Sequence, residues 1–409
     1  MQSFRFGQQS LRVDDPHLAE ALASAYSERK RPICACIADG VPMYVARVGE
    51  RFIVKRMPNS GSHHDADCDS YEPPAELSGL GEVSGSAIQE DIESGLTTLK
   101  LDFSLSKTGR RTEVAATGIE PESVRTDGSK LTLRGTLHYL WDQAGLNRWT
   151  PSMAGKRSWF VIRKHLLQAA DNKITKGADL ASVLFIPEQF AVERKDEILQ
   201  RRLAKLTRIS VPQPGAKKLM VLLAELKAIE PSRYGHKLVV KHLPDLPFMV
   251  ADDLHKRIVK RFANELALWS ADESTHLVIA ATFGFNIAGV ASIEELALTV
   301  TTNNWLPVEH IHDLQLLGEL THAGRRFTKG LRYNLASNRP LASAVMSDTV
   351  PDPVALYVVP PNVSDEYRQA LGTLIEESDL KPWVWMAGDV TMPNLPPYTG
   401  YEADLPTLT

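Results

Sequence analysis

All three cysteines of the 409-residue chain fall between Arg31 and Tyr71, as Cys34-x-Cys36 followed by His63-His64-x-x-x-Cys68. Thiolates and a neutral imidazole are the donor set of tetrahedral zinc, and such sites draw two ligands from each of two turns. Cys34 and Cys36 supply the first pair, His64 and Cys68 the second, with His63 as the alternative imidazole. The one-residue gap of the first pair departs from the usual two. The chemistry expected here is that of a structural Zn2+, which holds a fold together and catalyses nothing.

Such a site needs a frame. Residues 43–54 read as two short strands about Gly49-Glu50, a hairpin able to bring the pairs together. A helix is expected over 16–30, capped by Asp14 or Asp15. Residues 72–93 are rich in Pro, Gly, Ser and Glu, and a linker is expected over 76–94. Residues 95–106 alternate as a strand, with 110–115 as its partner.

Beyond it, residues 131–145 form an amphipathic helix carrying Leu133, Leu137, Leu140 and Trp141 at helical spacing. A turn, a second helix over 157–172 and a strand over 183–186 come next. Helix, turn, basic helix and strand is the order of a winged helix, with Arg157, Arg163 and Lys164 on its recognition helix. Then come a charged helix over 193–207, paired strands over 218–229 and 237–242, a long helix over 253–269 and a strand pair over 276–288. A helix is expected over 310–320. Glu225-Leu226-Lys227 lies on the first of those strands and reads as an ion pair across one face.

Net charge is −4, but its distribution is uneven. Residues 65–93 hold nine acidic side chains and no Lys or Arg. Residues 156–176 hold six basic against one acidic, 193–218 eight against three, and 325–339 five against none. A basic middle between acidic ends is compatible with a phosphate backbone. The candidate nucleic-acid contacts are Lys156, Arg157, Arg163, Lys164, Arg325, Arg326, Lys329 and Arg332, with DNA the expected partner. Solvated helix faces account for such runs equally well.

The last third runs from a basic segment through an apolar stretch ending at Asp348, a strand over 353–359, a helix over 365–377 and a strand at Trp383-Val384-Trp385. This order resembles the core of the PD-(D/E)xK nuclease superfamily. There a metal-binding acid precedes a strand bearing Glu-x-Lys. Asp348 matches the acid, but Tyr357 and Val359 stand where the Glu and Lys would be. The resemblance therefore implies a nuclease frame without its catalytic groups. Motifs for phosphate loops, dinucleotides and serine hydrolases are lacking.

The fold class expected is a multidomain α/β (α+β) chain. It comprises a zinc-binding β module (1–75), a linker (76–94), a winged-helix-like region (95–215) and an α/β domain ending in the nuclease-like segment (216–409). With ordinary globular composition and no apolar run of about 18–20 residues, no membrane partner is expected. Clustered thiols and the absence of an apolar leader in the opening residues fit the cytoplasm.

Several phrases resemble a bacterial family known as domain of unknown function 1173. They are Pro42-Met43-Tyr44, Lys55-Arg56-Met57-Pro58, Ser70-Tyr71-Glu72-Pro73-Pro74, Leu137-His138-Tyr139-Leu140-Trp141, Gly155-Lys156-Arg157, residues 266–269, Trp305-Leu306-Pro307-Val308-Glu309 and Lys329-Gly330-Leu331-Arg332-Tyr333-Asn334. The resemblance implies a setting of conjugative and integrative mobile elements, with other mobile-element proteins as partners, and brings no activity. Three functions stay open: a zinc-containing nucleic-acid accessory protein, a Mg2+-dependent nuclease, and a protein–protein adaptor.

Overall fold

The computed structural model describes residues 2–107, 128–210, 216–233 and 235–398. The expected strand 110–115 lies outside them. The N-terminal strands are β1 (Ser3–Phe6), β2 (Gln9–Arg12), β3 (Ile33–Cys34), β4 (Val41–Val48) and β5 (Arg51–Arg56), in the order β2-β1-β3-β4-β5. The β4–β5 hairpin pairs Met43 with Arg56 and Val48 with Arg51, turning at Gly49 with φ 60°. Helix α1 (Leu18–Ser27) lays Leu22 and Ala25 on Val45 of that hairpin. Its N-cap is His17, whose N–H donates to the Asp15 carboxylate, so Asp15 stands two residues before the cap instead of forming it.

The stretch 76–94 is folded, not a linker. It holds α2 (Leu80–Val83) and β6 (Ile88–Glu90), and it buries Leu77, Val83, Ala87 and Ile88. Gly79 serves close approach: a Cβ there would collide with the Arg332 carbonyl. Next come β7 (Thr97–Leu99), β8 (Ser106–Lys107), α3 (Leu133–Gln143), β9 (Arg148–Trp149), α4 (Trp159–Ala170), β10 (Lys173–Thr175), β11 (Ala178–Asp179), α5 (Leu180–Val183), β12 (Leu184–Phe185), α6 (Lys195–Ser210) and β13 (Lys217–Lys218).

The two helices of the expected winged helix are therefore present, but the strands after them do not form a wing. The hairpin β10–β11 joins β7 in parallel, and β12 runs parallel to the next strand, β14.

That strand, β14 (Met220–Ser232), opens a closed ring. After it come β15 (Gly235–Val240), β16 (Phe248–Val250), α7 (Asp252–Arg261), α8 (Ala263–Ala271), β17 (His276–Phe285) and β18 (Ala291–Thr301). β14 pairs β15, β15 pairs β16, β16 runs parallel to β18, β18 pairs β17, and β17 returns to β14. The expected long helix is broken at Phe262, which is buried in the core. The expected strand pair around Gly284 is one continuous strand, because the turn lies at 286–290. A bulge at Lys227 breaks the alternation of β14. Glu225 turns inward, and its partners are Lys241 and His276, each at 2.7 Å, not Lys227.

The chain ends with β19 (Pro307–Val308), α9 (Ile311–His322), β20 (Phe327–Lys329), β21 (Ala344–Met346), β22 (Val354–Val359), α10 (Asp365–Glu376) and β23 (Lys381–Met386). The last sheet has the order β23-β22-β21-β20-β9, with β22 and β23 parallel. The principal core runs through the middle, the barrel and this sheet. Leu77, from the 76–94 stretch, packs with Tyr357 and Leu371 in a second cluster. No helix among the described residues is long and apolar enough to cross a membrane.

Candidate metal centre

Cys34 lies on β3, paired with Phe4 on one side and Val41 on the other, and Cys36 stands two residues on. A 3-10 turn over Gly61–His63 delivers His64, and the next turn, closed by the Cys68 N–H on the Asp65 carbonyl, delivers Cys68. The Sγ atoms of the three cysteines and the His64 ring nitrogen lie within 4.8 Å of one another. Cys34 and Cys68 are 3.7 Å apart, and His64 Nδ1 is 3.3 Å from Cys36 and 3.7 Å from Cys68. Bonds of about 2.3 Å in a tetrahedral thiolate site give edges of about 3.8 Å. The cluster has that size. His63 is exposed while His64 is 4% exposed, which decides between the two imidazoles.

The surroundings suit thiolates. The Gln2 amide donates toward Cys34 and Cys68 at 3.7 and 3.6 Å, and the Ser70 N–H toward Cys68 at 3.4 Å. Gln2 is itself held by Ser70 at 2.7 Å. Such outer donors orient and stabilise metal-bound sulfur, and neither residue carried a signal in the sequence. The hydrogen bond from Cys68 lowers Cys34 to about 4, against burial, so the first thiolate forms there. Cys36 is raised by burial, and Cys68 is raised by the bond it gives Cys34 and by burial. Burial lowers His64 and keeps the imidazole neutral, the form that binds metal. With four protein donors the set is closed. A Zn2+ held by Cys34, Cys36, His64 and Cys68 has no open position for substrate and supplies cross-linking alone.

The loop that carries His64 and Cys68 is fastened to the C-terminal sheet. Arg148 on β9 donates to the Asp69 carbonyl at 2.6 Å and to Glu72 at 3.2 Å, and Arg326 pairs with Asp67. Glu72 also pairs with Arg56 of β5.

The basic residues meet a different fate. Arg325 grips Asp348 with two nitrogens at 2.9 and 3.1 Å, and the Arg326 N–H adds a third donor at 2.7 Å. Asp348 is 5% exposed, so the acid that matches the superfamily's metal ligand is paired inside the protein. Tyr357 is a core residue and Val359 lines the same cluster. Lys329 and Asp313, each side chain 1% exposed, pair at 3.3 Å, and Arg332 pairs with Glu309. Burial alone would raise Glu309, but Arg332, Lys329 and Arg134 overcome it and hold the carboxyl well below its ordinary range. Arg157 donates to the Leu146 and Asn304 carbonyls and lies 5.4 Å over the Trp149 ring. Arg163 donates to the Ile186 carbonyl at 3.0 Å. Of the eight basic residues singled out in the sequence, Lys156 and Lys164 are exposed. Arg157, Arg325, Lys329 and Arg332 brace the fold, which corrects their reading as phosphate contacts. Helical spacing buries Trp159, Ile162 and Leu166 on α4, leaving Phe160 61% exposed one turn before Lys164.

A family model described as "Protein of unknown function (DUF1173)" matches residues 4–388. No curated protein and no solved structure matches the chain.

Proposed function

Because the chain belongs to that family of unknown function, which supplies no activity to transfer, we propose from its own residues that it is a zinc-stabilised, non-catalytic nucleic-acid-binding accessory protein. The closed Cys34/Cys36/His64/Cys68 set supports a structural metal. The clamped Asp348 argues against Mg2+ hydrolysis, which needs free carboxylates. The observation that carries the nucleic-acid part is the outer face of α4, where Phe160, Lys164 and His165 are exposed beside Lys156. An aromatic ring among cations is the pairing that stacks a base and neutralises its phosphate. DNA is the partner this reading favours. The setting it favours is a bacterial mobile element, working beside that element's other proteins in the cytoplasm.

The test is labelled DNA titrated with zinc-loaded protein across a range of salt. Replacing Phe160 by Ala and Lys164 by Glu together should weaken binding about tenfold and flatten its salt dependence, since one fewer counterion is released. Wild-type protein that binds no DNA at low salt would overturn the reading.

A further inference from the structure

We propose that the open face of the β14–β18 barrel is a cleft for single-stranded nucleic acid; the inference rests on the nucleic-acid reading above and gives it a second site. The ring runs first, second, third, fifth, fourth strand, the third and fifth parallel, with helices inserted between the third and fourth. The first strand is long and bulged at Lys227, so it pairs with β17 before the bulge and with β15 after it. Five-stranded Greek-key barrels of this kind, the OB architecture, take oligonucleotides on the second and third strands, between the 1–2 and 4–5 loops.

In this chain β15 is covered by α7 at His236, whose ring stacks on His255, and the rest of those two strands is less buried than β17. α3 and α6 pack on β17, α3 and α8 on β18, and β17 is buried from Leu277 to Gly284. On β15 and β16, by contrast, Val239 and Met249 are partly exposed between buried neighbours and so point outward, and Lys237, two residues before Val239, lies on the same side of its strand. The register aligns them: Glu230 opposite Lys237, Lys237 opposite Met249, Met249 opposite Ser292, and Ser292 opposite Gly284. Both loops flank this row. The first carries Arg233 and turns at Gly235, φ 102°, where a Cβ would stand 2.5 Å from the Val250 carbonyl. The second carries Ile287, fully exposed, and Val290.

Charge names the occupant. Beyond Gly284 the row meets the β8–β13 ribbon, where Lys217 reaches over the glycine and pairs in register with Lys107. Lys107, Lys217, Lys218, Lys227, Arg233 and Lys237 thus border the face, against Glu230 and Glu294. Both acids are paired, Glu230 with Lys237 at 2.9 Å and Glu294 with Lys107 at 2.6 Å. Cations at the margins and an aliphatic strip of Val239, Met249 and Ile287 between them suit a strand whose phosphates and base faces are both accessible. A duplex hides the second.

The experiment uses zinc-loaded full chain and a fluorescent thymidine oligonucleotide of about twenty residues, with a matched duplex, by anisotropy between about 50 and 200 mM salt. Replacing Lys217, Lys218 and Lys237 by Gln should weaken oligonucleotide binding at least about tenfold and lower the salt slope by about two. Ile287→Asp should weaken it with the lysines intact. Both variants must keep wild-type zinc content and melting temperature; should the triple variant fail this, Lys218→Gln with Ile287→Asp, both on exposed side chains, replaces it. Wild-type binding that survives these changes overturns the barrel site and leaves the nucleic-acid reading standing. Wild-type protein that binds neither probe overturns both. Equal affinity for duplex and single strand overturns the single-strand assignment.

Discussion

The cysteine cluster and the basic segment 325–339 are the two densest chemical signals in the chain, and they ended in opposite places. Three cysteines and a histidine converged on one point, as their chemistry required. Of five cations without an acid among them, three turned inward instead, Arg325 to Asp348, Lys329 to Asp313 and Arg332 to Glu309. The difference lies in the range of partners each side chain accepts. Clustered thiols beside an imidazole have few uses in a reducing compartment other than a metal. A guanidinium fits a carboxylate fork as well as a phosphate, and its partner can stand anywhere in the sequence. Rarity of alternative uses, more than density of signal, made the first cluster legible.

The largest way to break the comparison is to remove a ligand. Cys68→Ser, or chelation of the wild-type protein, should abolish stoichiometric zinc and unfold the β1–β5 module. Structural zinc contributes about 10–16 kcal/mol of apparent binding free energy to such sites. Hydrogen exchange should rise first in β3 and the 60–72 loop. Because Arg148 and Arg326 hold that loop to the far sheet, exchange at β9 and β20 should rise too. Metal-free protein with native protection throughout would mean the cluster is only a packed corner of the core.

A smaller effect is expected at the clamp. Asp348→Ala leaves the Arg325 guanidinium buried without its partner. Breaking such a pair costs about 3–5 kcal/mol, read as a lower denaturant midpoint. Replacing both residues by apolar ones should recover most of the loss, because the cost lies in the orphaned charge. Wild-type protein with Mg2+ or Mn2+ should leave plasmid DNA intact. Cleavage that depends on Asp348 would restore the nuclease reading and dissolve the contrast with the zinc site.

Legibility of the fold divides along the same line. The β4–β5 hairpin, α3, α4, α9, α10 and β22 came from local periodicity and turn residues. His64 over His63 could not, since both imidazoles reach the same space until the Gly61–His63 turn fixes which is buried. The 76–94 stretch misled because Gly79, which reads as a breaker, is also what tight packing under Leu331 and Arg332 demands. Closure of the barrel was out of reach, since β14–β17 and β16–β18 pair across the long α7–α8 excursion. Nothing short-range records it. The bulge at Lys227 likewise reversed an alternation that held up to Leu226.

The smallest effect concerns a histidine that neither signal flagged. His138 on α3 is fully buried, and its Nδ1 accepts the Tyr333 N–H at 2.9 Å, which pins the middle of the basic segment to the helix. Burial lowers its pKa from 6.5 to about 3, with the Arg134, Lys329 and Arg332 charges adding to the effect and Glu309 opposing it. The unfolded chain takes up the proton near 6.5 and the folded chain does not until about 3. Between those values the unfolded state binds more protons, so stability falls as pH falls through that window. From neutral pH to about 5 the loss from this one group is about 2 kcal/mol. His138→Asn keeps an acceptor for Tyr333 and has no proton to gain. It should start somewhat less stable at neutral pH yet lose about 2 kcal/mol less on acidification to pH about 5, measured as denaturant midpoints. Acid also protonates the cysteines and expels zinc, but that component is common to both proteins and cancels in the comparison. Parallel pH curves for the two would mean that His138 is already charged in the fold, sharing the cationic interior with Arg134, Lys329 and Arg332 rather than being kept neutral by it.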